Sequence, residues 1–555
     1  MKIQELNAKD LQKNKIAVSD EKLENHLNEE QKPSYFNVLC NSFLEYCDYS
    51  SIIGLKYLGE RKRPVLEKVF WILVFFVLIY AYIYLTLKVW VKWNDTPVIV
   101  TFDDKSSPVW KIPFPAVTIC SEVKVERSRF NFSRIFSKFK NNETISEKES
   151  FNFYSLLHVC DTASANISKK MKSLPSYGDA WKYVRMLDEY GIHYPNVRET
   201  FVDCVFKGLS DCNIFYPFLT EEGICFTFNS PNHSSIYREE SHLPELADLS
   251  KKYFVSNETL DWSLEEGYKK SLSNRDFFPF RTMGAGIKAG LTVELKNFKR
   301  DFDSTCRNIF DGFKILIHTP GEIPRLSNKY LQAPMNQQVL ISVKPTVITT
   351  SKMLKNYDPK SRQCYFENER YLRFFKVYTQ TNCELECLTN YTLARCKCVA
   401  FSMPRNIETK VCGPAKIGCY KKAEYEVMLE EFQEIEKNPN AETKCNCLPA
   451  CTSITYDAEI SNTKFTYDSN EGSSLTSRNF PYQITALRIF FKENQYLASS
   501  RSELYGLTDF LANVGGLLGL FLGISAISLA ELVYFVMIRF NFNLFSRKPI
   551  ESPEP

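Results

Sequence analysis

The sequence predicts a membrane protein with two transmembrane α-helices and one large, disulfide-rich α+β extracellular domain. Three observations predict this fold class. The 555-residue chain has one long apolar segment towards each end. Of its 18 cysteines, all but Cys40 and Cys47 lie between these segments. The same region contains several strand-like stretches and a clear helical pattern, as a mixed α+β domain does.

The first apolar segment, Val69–Leu87, carries no charge and has about the length that crosses a bilayer. The first thirty residues are polar and charged, so we expect no cleavable signal peptide and a helix that acts as its own signal anchor. This assigns residues 1–68 to a cytoplasmic N-terminal region and residues 69–89 to the first transmembrane helix.

The second apolar segment, Phe510–Ile538, predicts a transmembrane helix over residues 506–538, followed by a cytoplasmic tail over 539–555. Its one acid, Glu531, would cost about 2.5–3.5 kcal/mol if it faced lipid, whereas a water-filled axis removes that cost. Small residues also recur along it, and they suit either a pore or plain helix packing. These small residues are Gly515, Gly516, Gly519, Gly523, Ser525 and Ser528.

Basic residues flank both segments on the sides nearest the chain termini, which predicts a multi-pass protein with both termini in the cytosol. They are Lys56, Arg61, Lys62, Arg63, Lys68, Arg539, Arg547 and Lys548. Residues 90–505 then lie outside the cell, and the N-x-S/T sequons agree because they fall only in this region. The predicted glycosylation sites are Asn131, Asn142, Asn166, Asn232, Asn257 and Asn390, with Asn94 close to the membrane.

The clustered cysteines favour disulfides in an oxidising compartment over zinc ligands. The pairs Cys396/Cys398 and Cys445/Cys447 have one residue between them, whereas zinc sites usually favour C-x₂-C spacing. We therefore expect no metal site. The connectivity of the cysteines cannot be deduced from their spacing.

No sequence pattern supports an enzyme, a cofactor or a nucleic-acid partner. The chain has neither an HExxH nor a G-x-S-x-G motif, and the glycine run Gly284–Gly290 fits neither a P-loop nor a Rossmann fingerprint. A surface turn explains that run better. Lysine and arginine exceed the acids by only 4 charges, which gives no reason to expect nucleic acid.

Within the outer domain, stretches rich in β-branched and aromatic residues predict strands. These stretches are Phe114–Cys120, Gly312–His318, Gln338–Thr350, Ser453–Ile460 and Pro481–Phe491. Residues Glu424–Lys437 predict a helix with Val427, Leu429, Phe432 and Ile435 close to one face. The carboxylates of this helix are predicted to form a solvated face, and a proton- or cation-sensing patch is the alternative.

Several motifs resemble the degenerin/epithelial sodium channel family, most closely its insect pickpocket branch. They are FPAVTIC at Phe114–Cys120, GICFTFN at Gly223–Asn229, GFKILIHTPGEIP at Gly312–Pro324, QCYF from Gln363, the cysteine-rich run Thr381–Asn406, and CNCLPACTSITY at Cys445–Tyr456. They occur in the family order from about Tyr35 to Glu531.

The resemblance implies a homo- or heterotrimer of related subunits, each with a hand-like outer domain of palm, finger and thumb. It implies the disulfides Cys120–Cys225, Cys204–Cys212, Cys364–Cys451, Cys383–Cys447, Cys387–Cys445, Cys396–Cys419 and Cys398–Cys412. Cys160 and Cys306 are left over, and their pairing with each other stays open.

The resemblance also implies roles for residues of the second membrane segment. Gly523-Ile524-Ser525 matches the family's G-x-S selectivity tract, and Glu531 matches the acid further inward. Ala512 matches the small pore residue known as the degenerin position. Asn513 departs from the aspartate of acid-sensing members, which weakens the case for an outer cation-attracting site.

Near the first helix, Ile53-Gly54 matches the family's His-Gly gating motif, but Ile53 replaces the histidine. The substitution removes a titratable group. It predicts either unusual gating or a subunit that works only beside a partner.

The sequence therefore predicts a subunit of a trimeric, sodium-permeable, amiloride-sensitive type of cation channel in the plasma membrane, opened by an extracellular ligand, acid or force. Two alternatives stay open: a non-conducting partner subunit, and a two-helix scavenger-type receptor. An ATP-gated trimeric channel shares the two-helix plan, but the thumb cysteines argue against it.

Overall fold

The structure is a computed structural model that falls into two compact units, Val98–Glu503 and a membrane unit formed by Met1–Pro97 with Leu504–Pro555. It describes residues 44–47, 49–52, 54–60, 63–95, 98–191, 200–241, 245, 249, 261–269, 278–307, 310–438, 444–464 and 482–539. Ile53, Asn257 and Cys40, named above, lie outside these residues.

The helices alternate with strands through most of the chain. The α-helices are α1 Leu55–Gly59, α2 Val65–Asp95, α3 Phe132–Lys140, α4 Glu147–Leu156, α5 Asp161–Asn166, α6 Ser168–Met171, α7 Ala180–Tyr190, α8 His233–Ile236, α9 Pro359–Arg362, α10 Gln380–Cys396, α11 Ile417–Lys437, α12 Leu507–Leu522 and α13 Ala526–Val533. A π-helical turn, Tyr534–Arg539, follows α13.

The described strands lie in the larger unit. They are β1 Val98–Phe102, β2 Ser107–Pro108, β3 Ala116–Ser121, β4 Tyr177–Gly178, β5 Phe201–Phe206, β6 Leu209–Ser210, β7 Phe215–Thr220, β8 Gly223–Phe228, β9 Trp262–Ser263, β10 Gly267–Tyr268, β11 Leu291–Phe298, β12 Gly312–His318, β13 Leu331–Pro334, β14 Gln337–Thr350, β15 Val411–Cys412, β16 Ser453–Lys464, β17 Tyr482–Phe491, β18 Gln495–Tyr496 and β19 Ser499–Glu503.

In the membrane unit, α2 is the one described helix that is by itself long and apolar enough to cross a bilayer. It runs from Val65 to Asp95, beyond both ends of the predicted span 69–89. The second apolar segment is not one helix over 506–538, because α12 and α13 are separate helices bent by 76° at a short break. Counted together, this bent pair forms a second candidate span.

Two β-sheets form the centre of the larger unit. The first contains eight strands in the order β1-β19-β14-β17-β11-β5-β6, with β16 paired to β14. The second contains five strands in the order β13-β12-β3-β8-β7. The five strands predicted from the sequence are confirmed as β3, β12, β14, β16 and β17, with small shifts of their ends.

Burial along the strands follows the alternation of apolar residues. Alternate residues of β11 are buried, and those of β14 are buried through its middle, as in strands with one face on a core. By contrast, β3, β8 and β12 are buried at every residue. Side chains of both sheets, together with Phe114 ahead of β3, form one apolar core, which includes Phe226, Phe228, Ile315, Val339, Ile341, Leu487 and Ile489.

The helices of the larger unit build a second apolar core beside the sheets. Their starts are fixed locally by capping side chains. Asn131 accepts a hydrogen bond from the Arg134 amide at α3, and Ser146 and Glu149 form a capping box at α4. Because the apolar faces of α3, α4 and α7 are buried together, this core is continuous from Phe132 to Leu187.

Eight disulfides brace the larger unit. They link Cys120–Cys225, Cys160–Cys306, Cys204–Cys212, Cys364–Cys451, Cys383–Cys447, Cys387–Cys445, Cys396–Cys419 and Cys398–Cys412. Seven of the pairs coincide with those implied by the family resemblance, and the eighth joins the two cysteines that were left over. We call α10, α11 and the five disulfides from Cys364 to Cys451 the thumb.

Only part of the apolar stripe predicted for α11 is buried: Val427 joins Leu388 of α10 in a small apolar cluster. Val427 is buried, but Phe432 is 63% exposed and Ile435 is 45% exposed. Polar side chains also join the two helices: Tyr391 donates to Glu430 over 2.7 Å, and Arg395 pairs with Glu426 at 3.2 Å. Helix α11 therefore contacts α10 through both apolar and polar side chains, and the rest of its apolar stripe is exposed.

A buried cluster of charges lies between the sheets and the helices. The Arg307 guanidinium contacts Glu122 at 3.0 Å, Asp161 at 2.6 Å and Glu222. Lys314 lies 2.7 Å from the same Glu222 carboxylate. Despite its burial, the pKa of Glu222 lies well below its ordinary value because the cations of Lys124, Arg307 and Lys314 surround it. Removing one partner from such a cluster typically costs about 3–5 kcal/mol.

The thumb disulfides give a direct stability prediction. Each bridge restricts the unfolded chain and typically contributes about 2–4 kcal/mol. Cys383→Ser breaks the bridge to Cys447 and leaves a polar group at a site that is 2% exposed. We expect the variant to fold poorly and to reach the cell surface in much smaller amounts, as measured by surface biotinylation. The matched change Cys40→Ser lies outside the disulfide domain, and an equal loss there would contradict the prediction.

Candidate functional site

The second apolar segment breaks at the three residues that match the selectivity tract. Helix α12 ends at Leu522 and is capped by Gly523, whose φ of 65° is left-handed and favours glycine. Ser525 is extended, and α13 begins immediately after it. The backbone of Gly523-Ile524-Ser525 therefore lies outside regular helix between two helices. In a membrane, such irregular backbone is tolerated where it is buried in protein or lines a water-filled cavity.

Ser525 has a structural task at this break. Its hydroxyl accepts a hydrogen bond from the Ser528 amide over 3.2 Å and so caps the first turn of α13. The Ser528 hydroxyl in turn accepts from the Ser525 amide over 3.2 Å. The two serines together satisfy backbone donors that a helix start in an apolar environment would otherwise leave unpaired.

Helix α12 carries its small residues on one face. A residue advances about 100° around a helix, so Ala512 lies about 200° from Phe510, and Gly515, Gly516 and Gly519 fall within about 60° of Ala512. A Cβ atom built on Gly515 or Gly516 would meet no described atom of this chain within 4 Å. This small-residue face is therefore open to contact with something outside the chain.

The opposite face of α12 packs on α2. The Phe510 ring stacks on Trp93 with centroids 5.0 Å apart and meets Trp90 edge-on at 5.8 Å. Asn513 turns inward on its own helix, since its side-chain amide donates to the Asp509 carbonyl over 2.9 Å. These contacts fix the rotation of α12 and leave Ala512 exposed.

At the other end of the segment, Glu531 is held by the stretch that precedes α1. Ser51 donates to the Glu531 carboxylate from its amide over 3.2 Å and from its hydroxyl over 2.9 Å. The Ser51 hydroxyl also lies 2.7 Å from that of Ser528, which lies 3.1 Å from that of Ser525. Because the Ser51 proton points to the carboxylate, Ser528 donates to Ser51. A chain of hydroxyls thus connects the break to Glu531.

Gly54 is required where it stands. Its φ is 105°, which L-residues rarely adopt, and a Cβ atom there would lie 3.0 Å from Cε2 of Phe75. Just after it, Tyr57 stacks on Trp71 with centroids 4.6 Å apart. The glycine therefore lets the chain turn tightly against α2 and brings Ser51 to the second apolar segment. The matching Ile53 lies outside the described residues.

Sequence reasoning assigned no role to Ser51 and treated Ser528 only as one of the small residues. Ser528 is 1% exposed, and its hydroxyl and amide partners lie within 3.2 Å. A serine three residues before a membrane glutamate, combined with a serine just ahead of the gating motif, is the only signal the sequence offers. It does not reveal that the two segments meet.

Five of the predicted sequons lie in described parts of the larger unit. Asn142, Asn166 and Asn390 are exposed, whereas Asn131 and Asn232 are partly buried. Among the residues the structure describes, no group of histidine, cysteine, aspartate or glutamate side chains is arranged to hold a metal ion.

Glu322 is a carboxyl group of the larger unit whose pKa is raised by burial. It follows β12, and its carboxylate accepts from the Thr319 amide over 3.4 Å. Next to it, the Ile323 amide donates to Asn382 of α10 over 3.1 Å, which ties this loop to the thumb. Burial raises the pKa of Glu322 to about 7, with Lys329 and Glu384 as nearby charges.

This shift predicts a pH dependence with a definite sign. The folded pKa lies above the ordinary value of about 4.3, so the folded chain binds the proton more tightly than the unfolded chain. The contribution of Glu322 to the free energy of unfolding is therefore fully present below the ordinary pKa of about 4.3 and is lost as the pH rises through about 7. Glu322→Gln should therefore flatten the fall in melting temperature between pH 5 and pH 7. The exposed Glu408→Gln is the control, and an unchanged profile in Glu322→Gln would contradict the assignment.

Comparisons with known proteins extend over nearly the whole chain. A family profile described as "Amiloride-sensitive sodium channel" matches residues 46–535. Pickpocket protein 28 of Drosophila melanogaster is 29% identical over 522 residues, which cover 91% of this chain and 80% of that protein. Sodium channel protein Nach of the same organism is 24% identical over 532 residues, which cover 93% of this chain and 92% of that protein. Acid-sensing ion channel 1C of Danio rerio is 21% identical over 520 residues, which cover 91% of this chain and 83% of that protein.

Proposed function

Because the chain belongs to the amiloride-sensitive sodium channel family, and is therefore a cation channel subunit, we propose that it lines the pore of a trimeric, sodium-permeable channel of the amiloride-sensitive type. The trimer consists of copies of this chain or of this chain with related subunits. An extracellular ligand, acid or force opens it. Sodium ions and the lipid bilayer of the plasma membrane are then its partners.

The break between α12 and α13 is the observation that carries this proposal. Three copies of Gly523-Ile524-Ser525 around an axis would present backbone carbonyls and hydroxyls to a permeating ion, which can replace part of its water shell. The small-residue face of α12 would let the three helices approach closely. Glu531 would add a carboxylate from each subunit on the inner side, and such a ring attracts cations.

The same proposal fixes a topology. Residues 1–68 and 539–555 lie in the cytosol, residues 69–89 and 506–538 contain the two membrane segments, and residues 90–505 lie outside. The disulfides and exposed sequons of the larger unit support this placement, since both belong to an oxidising, secretory compartment.

Glycosidase treatment and terminal tags test the topology. Enzymatic deglycosylation of the protein from animal cells should lower its apparent mass. Antibodies should reach tags on either terminus only after permeabilisation. Staining of a terminal tag on intact cells would overturn the topology.

Electrical recording tests the function itself. The chain is expressed in a cell without related channels, alone and with related subunits, and surface delivery is confirmed by labelling. We expect an inward current that needs external sodium and is reduced by amiloride. Surface protein that passes no cation current in either setting would favour the scavenger-type receptor instead.

A second candidate, a partner subunit that does not conduct alone, is favoured by two departures from the family pattern, Ile53 and Asn513. Asn513 bonds to its own helix backbone and presents no charge at the outer end. Co-expression separates the two candidates. If Glu531→Gln alters the unitary conductance of a mixed channel, this chain lines the pore there even though it is silent alone.

A further inference from the structure

The sequon at Asn390 differs from the others because it lies within a long helix of the thumb. Asn390 is exposed on α10 and lines a cavity of about 580 Å³. The cavity wall includes Tyr391, Glu430 and Lys444, with Lys444 2.7 Å from Glu430. These groups can donate to and accept from sugar hydroxyls, and the cavity leaves room beside the asparagine amide.

The third residue of this sequon is hidden in the folded thumb. Thr392 is fully buried, and its hydroxyl has no hydrogen-bond partner among the described residues. On a helix, residues two apart point about 200° away from each other, so an exposed Asn390 forces Thr392 towards the core. Transfer of a glycan needs the asparagine amide and the hydroxyl of the sequon together. The folded helix cannot offer both.

Disulfides lock this helix in place on both sides of the sequon. Cys387 bonds Cys445, and Cys396 bonds Cys419. Cys445 follows Asn390 by 55 residues. At about 5–20 residues per second the ribosome makes that partner about 3–11 s later. Disulfide formation itself takes seconds or longer. The sequon is therefore accessible for a period of seconds before the thumb closes.

We propose that Asn390 is a conditional glycosylation site, modified only before the thumb disulfides close. Glycan transfer and closure of Cys387–Cys445 compete for the same stretch of chain, so the secretory compartment decides which fraction of the subunits carries this glycan. In the glycosylated fraction, the core sugars lie in the cavity beside Tyr391 and Glu430. The channel then exists in two forms that differ at the thumb.

Site-resolved mass spectrometry of the full-length chain from animal cells tests the proposal. Asn142 is the internal reference, because both it and Thr144 are exposed in the folded chain. In the wild type we expect partial occupancy at Asn390 and higher occupancy at Asn142. The double variant Cys387→Ser/Cys445→Ser should raise occupancy at Asn390 by about twofold, since two steps on similar timescales divide the chains about equally. A brief pulse of dithiothreitol on the wild type should act in the same direction.

The matched control is Cys204→Ser/Cys212→Ser, which removes a disulfide far along the chain from α10 and should leave Asn390 occupancy unchanged. The readout is made on chains still inside the cell, so a variant that folds poorly remains informative. Occupancy at Asn390 that is the same in wild type, in the Cys387/Cys445 variant and after the reducing pulse would overturn the proposal, whether that occupancy is zero, partial or complete.

Discussion

Ala512→Val is expected to produce a channel that conducts without a stimulus. Ala512 lies on the exposed face of α12, on the side opposite to the Phe510 contact with α2. Gly515 and Gly516 share that face, and side chains built there would meet no described atom of their own chain. In the proposed trimer, three copies of this face converge in the closed state, so a larger side chain at 512 clashes there and not in the open state.

The size of the effect follows from the difference between the two states. Overpacking a tight contact typically costs about 1–3 kcal/mol. About 3 kcal/mol that acts on the closed state alone shifts the equilibrium by more than about a hundredfold. Whole-cell current is recorded without a stimulus, and surface expression is measured by labelling in the same cells.

Two further variants make this test specific. Leu511→Phe adds bulk to the neighbouring exposed residue, about 100° around the helix, and should leave the resting current low. Ala512→Gly adds nothing and should also stay closed. If Ala512→Val reaches the surface, responds to a stimulus and shows no rise in resting current, Ala512 does not lie at the gate.

The sheets could be predicted from the sequence because each strand carries its own pattern. The sequence predicts β12 with the same ends that the structure gives it, Gly312 and His318. β14 alternates buried and partly exposed residues through its middle, as its sequence does. The pairing of the strands could not be predicted in this way. Strand β14 runs parallel to β17 but antiparallel to β16, and the sequence of β14 itself does not specify either neighbour.

The break in the second apolar segment could not be predicted from hydropathy. Apolar residues continue on both sides of Gly523, so the pattern reads as one helix. The structure has two helices here instead, because Gly523 adopts a left-handed φ of 65° and Ser525 caps a new helix. A glycine followed two residues later by serine is compatible with a continuous helix as well. The left-handed backbone of Gly523 and the hydrogen bond from the Ser528 amide to Ser525 distinguish the two, and neither can be seen in the sequence.

The contact between Ser51 and Glu531 is also beyond sequence reasoning, since 480 residues separate the two. The resemblance to a known family assigned roles to Ile53, Gly54 and Glu531 separately. It offered no partner for the carboxylate. The structure supplies one, and so changes what a substitution at Glu531 is expected to do.

Glu531→Gln is expected to reduce cation conductance and to release the N-terminal stretch at the same time. The change removes one charge per subunit from the proposed axis. It also weakens two hydrogen bonds from Ser51, and a hydrogen bond to a charged group is typically worth about 1.5–3 kcal/mol. Unitary currents report the first effect, and open probability reports the second.

A double-mutant cycle with Ser51→Ala separates these two effects. Ser51→Ala removes the hydroxyl donor and leaves the charge, so it should change open probability with little change in unitary conductance. In the Glu531→Gln background, the further change Ser51→Ala should have a much smaller effect on gating, because the hydroxyl has already lost its charged acceptor. Full additivity of the two changes would show that the contact does not control gating.

Ser525 tests the break itself with a pair of substitutions. Ser525→Thr keeps the hydroxyl that caps α13 and adds a methyl group, whereas Ser525→Ala removes the cap, which typically costs about 0.5–2 kcal/mol. If this backbone forms the filter, Ser525→Thr should alter the sodium-to-potassium permeability ratio while the channel still assembles. Ser525→Ala should alter the ratio and also lower surface expression. Reversal potentials that stay unchanged in both variants and in Glu531→Gln would assign these residues to helix packing rather than permeation.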